Sequence, residues 1–218
     1  MLPMSGWMRT SSLPLASLIR IRLATAADAE AIAAIYRPVV ESGVASFESV
    51  PPDRDEIARR VAKTTAAYPW LVCELDGVVA GYAYANEHRV RAGYRWSVNT
   101  SVYVDATRRR SGVGRGLYAS LFAVLTAQGF FNAYASITLP NAASVALHQA
   151  AGFRPIGVYE RVGYKLGAWH DVSWWHRVLQ PHAASPDEPT MLPALVKESG
   201  WESLVRAGEP FVRSSVTP

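Results

Sequence analysis

The chain has 218 residues, half of them hydrophobic and 18% charged, the balance of one well-cored domain and not of a chain too polar to fold. Its net charge of +4 is carried almost wholly by arginine, lysine standing only at Lys63, Lys165 and Lys197; the cluster Arg108, Arg109, Arg110 and Arg115 lacks the long basic stripe and stacking aromatics of a nucleic-acid binder. Cys73 is the only cysteine, which excludes an intrachain disulfide and a cysteine-rich metal site and fits a reducing cytoplasm.

Residues 1–17 mix Arg9 with Leu, Pro and Ser and lack the continuous apolar stretch of a signal peptide, so an unstructured lead-in over residues 1–18 is expected. Ile19 to Leu23 alternates apolar residues with Arg20 and Arg22, as a half-buried strand does. Thr25 and Asp28 form a shortened capping box ahead of a helix to about Glu41. Pro51-Pro52-Asp53 opens a second helix, Asp55 to about Ala67, which Tyr68-Pro69 ends. Trp70 to Leu75, Asp76-Gly77 and Val78 to Tyr84 read as strand, tight turn and strand.

After an Arg-rich connection, Ser97 to Val104 is a further strand, and a glycine loop leads into a helix from about Val113 to Gln128. The uncharged run Gly116 to Phe130 is 15 residues long, short of the ~17 a membrane span requires, and reads as buried helix. Ala133 to Ile137 is a strand, Asn141 to Ala150 a helix, and Ile156 to Arg161 and Val172 to Val178 are final strands. The class is α/β, with the domain over residues 19–180 and a Pro-rich, loosely docked extension over 181–218 that holds a short amphipathic stretch near Leu195 to Arg206.

Two features carry chemistry. In Arg109-Arg110-Ser111-Gly112-Val113-Gly114 the glycines let successive N–H groups turn toward one anion, and the following helix adds its positive end. No Gly-Lys-Ser or Gly-Lys-Thr follows, and the next strand ends without an acid for a ribose, so neither a nucleoside-triphosphate loop nor a dinucleotide fingerprint is present. The second feature is the stripe Asn141, Ser144 and His148 on one helix face, readable as a functional row or as an N-cap with a surface histidine.

Together with Val102-Tyr103-Val104, these motifs resemble the GNAT acyl-CoA fold, a central mixed, mostly antiparallel twisted sheet flanked by helices. Within it the chain is similar to the phosphinothricin and methionine sulfone/sulfoximine N-acetyltransferases. The markers are Tyr68-Pro69-Trp70-Leu71-Val72, Ala80-Gly81-Tyr82-Ala83-Tyr84, Leu139-Pro140-Asn141, Gly163-Tyr164-Lys165 and Trp169-His170-Asp171-Val172, which span Ile19 to Gln180.

The resemblance implies acetyl-CoA as co-substrate, direct transfer to the primary amine of a small amino-acid-like molecule, and a homodimer. It implies that the backbone of Val102, Tyr103 and Val104 pairs with the pantetheine arm, that Arg109 to Gly114 holds the pyrophosphate, and that Asn141 also touches the cofactor. His148 is implied in proton transfer. Phe47, Arg89, Arg91, Tyr94 and Arg95 fall in the segments that line the family's substrate pocket, and arginine suits an acidic group bidentately. The departure is Asn99, where the family carries a glutamate base and a neutral amide cannot take the proton. Either His148 or a water chain takes over, which is the reading favoured here with Asn99 as a substrate or water ligand, or the amine arrives neutral, or activity is lost. A non-catalytic acyl-CoA binding module and a protein N-terminal acetyltransferase are the rival readings.

Overall fold

A computed structural model describes residues 18–213, so most of the expected lead-in and the last five residues of the extension lie outside the described residues. One seven-stranded sheet has the order β1-β2-β3-β4-β5-β7-β6. Its strands are β1 (Ile19–Leu23), β2 (Trp70–Leu75), β3 (Val78–Glu87), β4 (Ser97–Val104), β5 (Asn132–Thr138), β6 (Arg154–Lys165) and β7 (Ala168–Val178). Every neighbouring pair is antiparallel except β4 and β5, the mixed, mostly antiparallel sheet expected.

Helices α1 (Ala29–Glu41) and α2 (Arg54–Thr65) cover one face, and α3 (Val113–Ala127) and α4 (Ala142–Ala150) the other. Before α1, Asp28 Oδ2 accepts from the Thr25 N–H at 2.7 Å and from its hydroxyl at 3.0 Å. Arg22 binds Asp28 and Glu74 together. Burial alone would raise the Asp28 carboxyl, but the bonds from Arg22 and Thr25 outweigh it and hold the group below its ordinary range. Asp53 caps α2 by accepting from the Glu56 N–H at 2.8 Å.

Asp76 and Gly77, both at positive φ, make the expected two-residue turn between β2 and β3. The strands around it alternate in sidedness, as the pleat requires. Leu71, Cys73, Ala83 and Ala85 enter the core under α3, while Trp70, Val72 and Tyr82 enter the one under α1 and α2. Gly81 permits a close approach, because a Cβ there would lie 2.8 Å from the Tyr103 carbonyl oxygen and 2.9 Å from Val113 Cγ1. The first residue of α3 therefore rests directly on β3.

Two expectations change. The final hairpin is longer than the alternation suggested, running to Lys165 and turning through Leu166 and Gly167 at positive φ. The extension is not loosely docked over its described part. It adds α5 (Leu192–Leu195) and α6 (Trp201–Val205) and buries Leu192, Leu195, Trp201, Val205 and Val212 in the main core. The amphipathic stretch near Leu195 to Arg206 holds α6 and seats its apolar side in the core, so the prolines around it do not loosen the docking.

The extension runs back along α3 to its N-terminus. Gln128 Nε2 donates to the Thr190 carbonyl at 2.8 Å, the Gly208 N–H donates to Ser120 Oγ at 2.9 Å, and the Arg213 N–H donates to the Ser111 carbonyl at 2.8 Å. A Cβ on Gly116 would meet Val212 Cγ2 at 2.6 Å and the Gly208 carbonyl at 2.7 Å. Gly116→Ala thus sets a helix-propensity gain of about 1 kcal/mol against overpacking of about 1–3 kcal/mol on backbone that has little room to move. The clash should win, lowering Tm by roughly 2–8 °C in a thermal melt. A rise in Tm would show that residues 208–212 do not sit on α3.

Candidate active site

β4 and β5 pair only through Ser97–Asn132, Val98–Ala133 and Asn99–Tyr134. Beyond Asn99 they part, and the last contact is a side chain in place of a ladder bond, with Thr100 Oγ1 donating to the Tyr134 carbonyl at 3.1 Å. The far edge of Val102 to Val104 pairs with β3, whereas the edge facing β5 has no ladder partner among the described residues. Val102 and Val104 turn into the main core, and Tyr103 turns to the opposite face against Tyr36 and Tyr82. The result is a fork inside the sheet with free main-chain groups on one prong.

The N-terminus of α3 rises beside this fork. Gly112, at φ 83°, is its N-cap and supplies no side-chain cap, and the N–H groups of Gly112, Val113, Gly114 and Arg115 meet no acceptor among the described residues. The first turn contains Arg115 and no acid, so the positive helix end is uncompensated. Arg109 and Arg110 are exposed, Ser111 is buried, and Arg110 also takes positive φ. Donors without partners among the described residues, a bare helix terminus and guanidinium groups are the features an anion would use. A cavity of about 370 Å³ brings Val104, Arg109 and Asn141 together with Val44 and Ala45 from the segment after α1. Asn141 is the N-cap of α4, its Oδ1 accepting from the Ser144 N–H at 3.1 Å. The cap role and the cavity-lining role therefore coexist.

His148 is 4% exposed and lies inside the fold, not on its surface. Its Nδ1 is 2.8 Å from the Ser144 carbonyl and its Nε2 2.8 Å from the Tyr118 hydroxyl. A carbonyl only accepts, so Nδ1 carries the proton and Nε2 accepts from Tyr118. Burial lowers the His148 pKa, partly offset by the bond to Ser144. The Tyr118 side chain also lies near Thr100, the residue just past the last rung of the fork. Tyr118 was missed in the sequence because an aromatic residue in an apolar helix reads as core.

Asn99 approaches the fork from the other face, since strand alternation sets it opposite Thr100. Its Oδ1 is 2.9 Å from His88 Nδ1, and its Nδ2 donates to the Glu87 carbonyl at 3.2 Å. The His88 ring stacks on Tyr134 at 4.3 Å, and Tyr94 meets its edge at 6.0 Å. His88 was also missed, being read as part of an Arg-rich connection. The signal lay in the register: β3 runs on to Glu87 with Asn86 opposite Asn99, so His88 is a diagonal neighbour of Asn99 on the same face.

The substrate-side residues divide. Arg89 and Arg91 are exposed on the segment after His88. Arg95 is drawn away, pairing with Glu188 of the extension. Phe47 lies against Gly163 of β6, where a Cβ would clash with its ring, and Lys165 Nζ donates to the Ser46 carbonyl at 2.7 Å. Cys73 is fully buried in β2, and burial, with Glu209 and Glu74 nearby, pushes its thiol up to about 12.

The sequence profile of the acetyltransferase (GNAT) domain matches residues 21–174. The chain belongs to the GNAT acetyltransferase family. It is 42% identical to a phosphinothricin N-acetyltransferase of Streptomyces viridochromogenes over 73% of this chain and 87% of the relative. It is 37% identical to an L-methionine sulfoximine/L-methionine sulfone acetyltransferase of Salmonella typhimurium over 77% of this chain and 98% of the relative. The crystal structure of a GNAT superfamily phosphinothricin acetyltransferase from Sinorhizobium meliloti in complex with AcCoA superposes with a TM-score of 0.74 at 38% identity, covering 78% of this chain and 94% of that one. The protein is therefore an N-acetyltransferase with acetyl-CoA as acetyl donor. Its free strand edge and its unpaired N–H groups are suited to a co-substrate built of amides and phosphates.

One consequence of the buried histidine concerns stability. With its folded pKa below the ordinary 6.5, the unfolded chain takes up the proton more readily. The contribution of His148 is therefore complete above about pH 6.5 and is lost as pH falls through the folded value. His176, lowered by burial and by Arg154 and His182, adds with the same sign. Urea unfolding from pH 8 to 5 should show this decline, and His148→Gln should flatten part of it. An equally steep decline in the variant would rule out His148 as a source.

Proposed function

We propose that this enzyme acetylates the primary amine of a small amino-acid-like molecule of the phosphinothricin or methionine sulfone/sulfoximine type, by direct transfer within a ternary complex. The observation that carries the reading is the fork after Asn99 beside the uncapped start of α3. An extended amide chain completes the edge at Val102, Tyr103 and Val104, while its pyrophosphate takes the N–H groups of the loop Arg109 to Gly114, with Asn141 at the cavity wall. An N–H on the prong polarises the thioester carbonyl as negative charge develops on its oxygen. The high pKa of buried Cys73 is consistent with a reaction that uses no cysteine nucleophile.

Arg89 and Arg91, with Tyr94 and Phe47, are proposed to receive the acidic or sulfone end of the acceptor, guanidinium being suited to planar and oxyanion partners. Asn99 is proposed as a substrate or water ligand. On the thioester side, His148 is proposed to position Tyr118, holding its hydroxyl through Nε2 on the side of the sheet where the thiolate departs. Catalysis is assigned to residues 19–180, acting on free small molecules in the cytoplasm and not on nucleic acid. A homodimer is proposed over the outer strand β6, whose hairpin exposes Val158, Val162 and Tyr164 together with Trp169.

Thiol release from acetyl-CoA tests the reading directly, using L-phosphinothricin, L-methionine sulfone, free amino acids and short peptides as acceptors. The amino-acid sulfone and phosphinothricin should accelerate release at least tenfold over peptides. Faster release with peptides would move the enzyme to protein N-termini. If no amine accelerates release while acetyl-CoA still raises Tm, the chain is a binding module.

A further inference from the structure

We infer that His88 is the general base that takes the proton from the acceptor ammonium, and that Asn99 is the residue that positions it. The inference rests on the reading of the fork as the site of acetyl transfer. It answers the problem posed by Asn99, which occupies a position where the family resemblance calls for an acid.

Asn99 Nδ2 donates to the Glu87 carbonyl at 3.2 Å, so its other arm, toward His88 Nδ1 at 2.9 Å, is the oxygen. An amide oxygen only accepts, so His88 Nδ1 bears the hydrogen. In a neutral imidazole that leaves the lone pair on Nε2, and Nε2 has no partner among the described residues. Asn99 thus fixes the tautomer that makes the outer nitrogen a base, as an orienting partner does for the histidines of metal and hydrolase sites.

Location agrees. His88 is stacked on Tyr134 at 4.3 Å, and Tyr134 is paired with Asn99 at the last rung before the strands part. The groups that face the ring are Tyr94 from the turn Ala92–Tyr94, Asn99 from β4 and Tyr134 from β5, with His176 of β7 beyond Tyr134. On its own segment Glu87 and Arg89 flank it and are exposed. The ring is half-buried, open enough to meet an amine and held on one side. His148 lacks these qualifications, since both its nitrogens are engaged within the core and it lies on the opposite face of the sheet.

The ammonium gives one proton to His88 Nε2, which becomes the imidazolium while Nδ1–H stays on Asn99. The freed amine pair forms the C–N bond at the acetyl carbon, the C–S bond breaks, and its electron pair leaves on the coenzyme sulfur. The second proton of the nitrogen neutralises the thiolate, and His88 returns its proton to water. No oxidant, metal or further reactant is needed.

The test is kcat/KM against pH with the fastest acceptor of the panel above, beside acetyl-CoA affinity from calorimetry. In His88→Gln, kcat/KM at pH 7 should fall about 100-fold or more and the acidic limb of the wild-type profile should vanish, with acetyl-CoA affinity unchanged. His88→Phe, which keeps an aromatic face on Tyr134, should lose the same activity. Adding Asn99→Glu to His88→Gln should restore turnover with a limb shifted to lower pH, because a carboxylate titrates below imidazole. Asn99→Ala should lower kcat and keep the limb. Activity within about threefold of wild type in both His88 variants, or a limb that persists in them, overturns the assignment while acetyl transfer stands. A wild-type chain that turns over no amine overturns both.

Discussion

The structure depends on a break in its own sheet. Parallel pairing of β4 and β5 ends after three residue pairs, and main-chain groups are left without ladder partners in the middle of the domain instead of at an edge. Backbone polar groups shielded from water are costly when unpaired, roughly 1–3 kcal/mol each, so a gap of this kind persists only where the rest of the sheet enforces it. β4 is held by seven residue pairs to β3, and β5 by seven to β7. Each prong is anchored on its outer side, and neither can swing inward to close the fork. The gap is therefore a built recess whose main-chain donors and acceptors have no ladder partner among the described residues.

The break also decides how chemistry is divided between the faces. Because side chains alternate along β4, Asn99 and Thr100 reach opposite sides of the sheet at the point of parting. On one side stand His88, Tyr94, Tyr134 and the exposed arginines, polar and partly open. On the other stand Tyr118 and His148, enclosed by Phe122 and Phe153. Acetyl transfer requires a proton removed from the amine before attack, and the polar, partly open side suits that task better than an enclosed histidine whose two nitrogens are both engaged.

Much of this arrangement was legible in the sequence. Strand alternation, the Asp76-Gly77 turn and the Asp53 cap are local signals that depend on neighbours a few residues away, and the elements they predicted are present with small shifts at their ends. The glycine loop was legible as the turn that opens α3, because Gly112 and Gly114 stand in consecutive sequence with the helix that follows. What escaped were relations across the fold. His88 and Asn99 are eleven positions apart and meet only through the register of β3 on β4. Tyr118 and His148 meet only once α4 is laid on α3. The hairpin to Lys165 was cut short because its turn, Leu166-Gly167, puts a leucine at positive φ, a position where composition does not announce a turn.

The extension was the largest misreading, and its geometry links it back to the fork. Prolines and serines suggested loose chain, yet residues 208–213 lie along Gly112, Gly116 and Ser120, the N-cap of α3 and two small residues at successive turns within it. The Phe211 carbonyl occupies the space a side chain on Gly112 would need, the Arg115 guanidinium stacks on the Phe211 ring at 4.4 Å, and the Ser111 carbonyl is taken by the Arg213 N–H. The loop is thereby packed from behind. A left-handed glycine and a buried serine are fixed in place by a segment beyond the 21–174 match, and the loop N–H groups keep no acceptor among the described residues. Conformational freedom surrendered during folding need not be surrendered again when an anion binds, so the same contacts that bury Val212 also preorganise the positive end of α3.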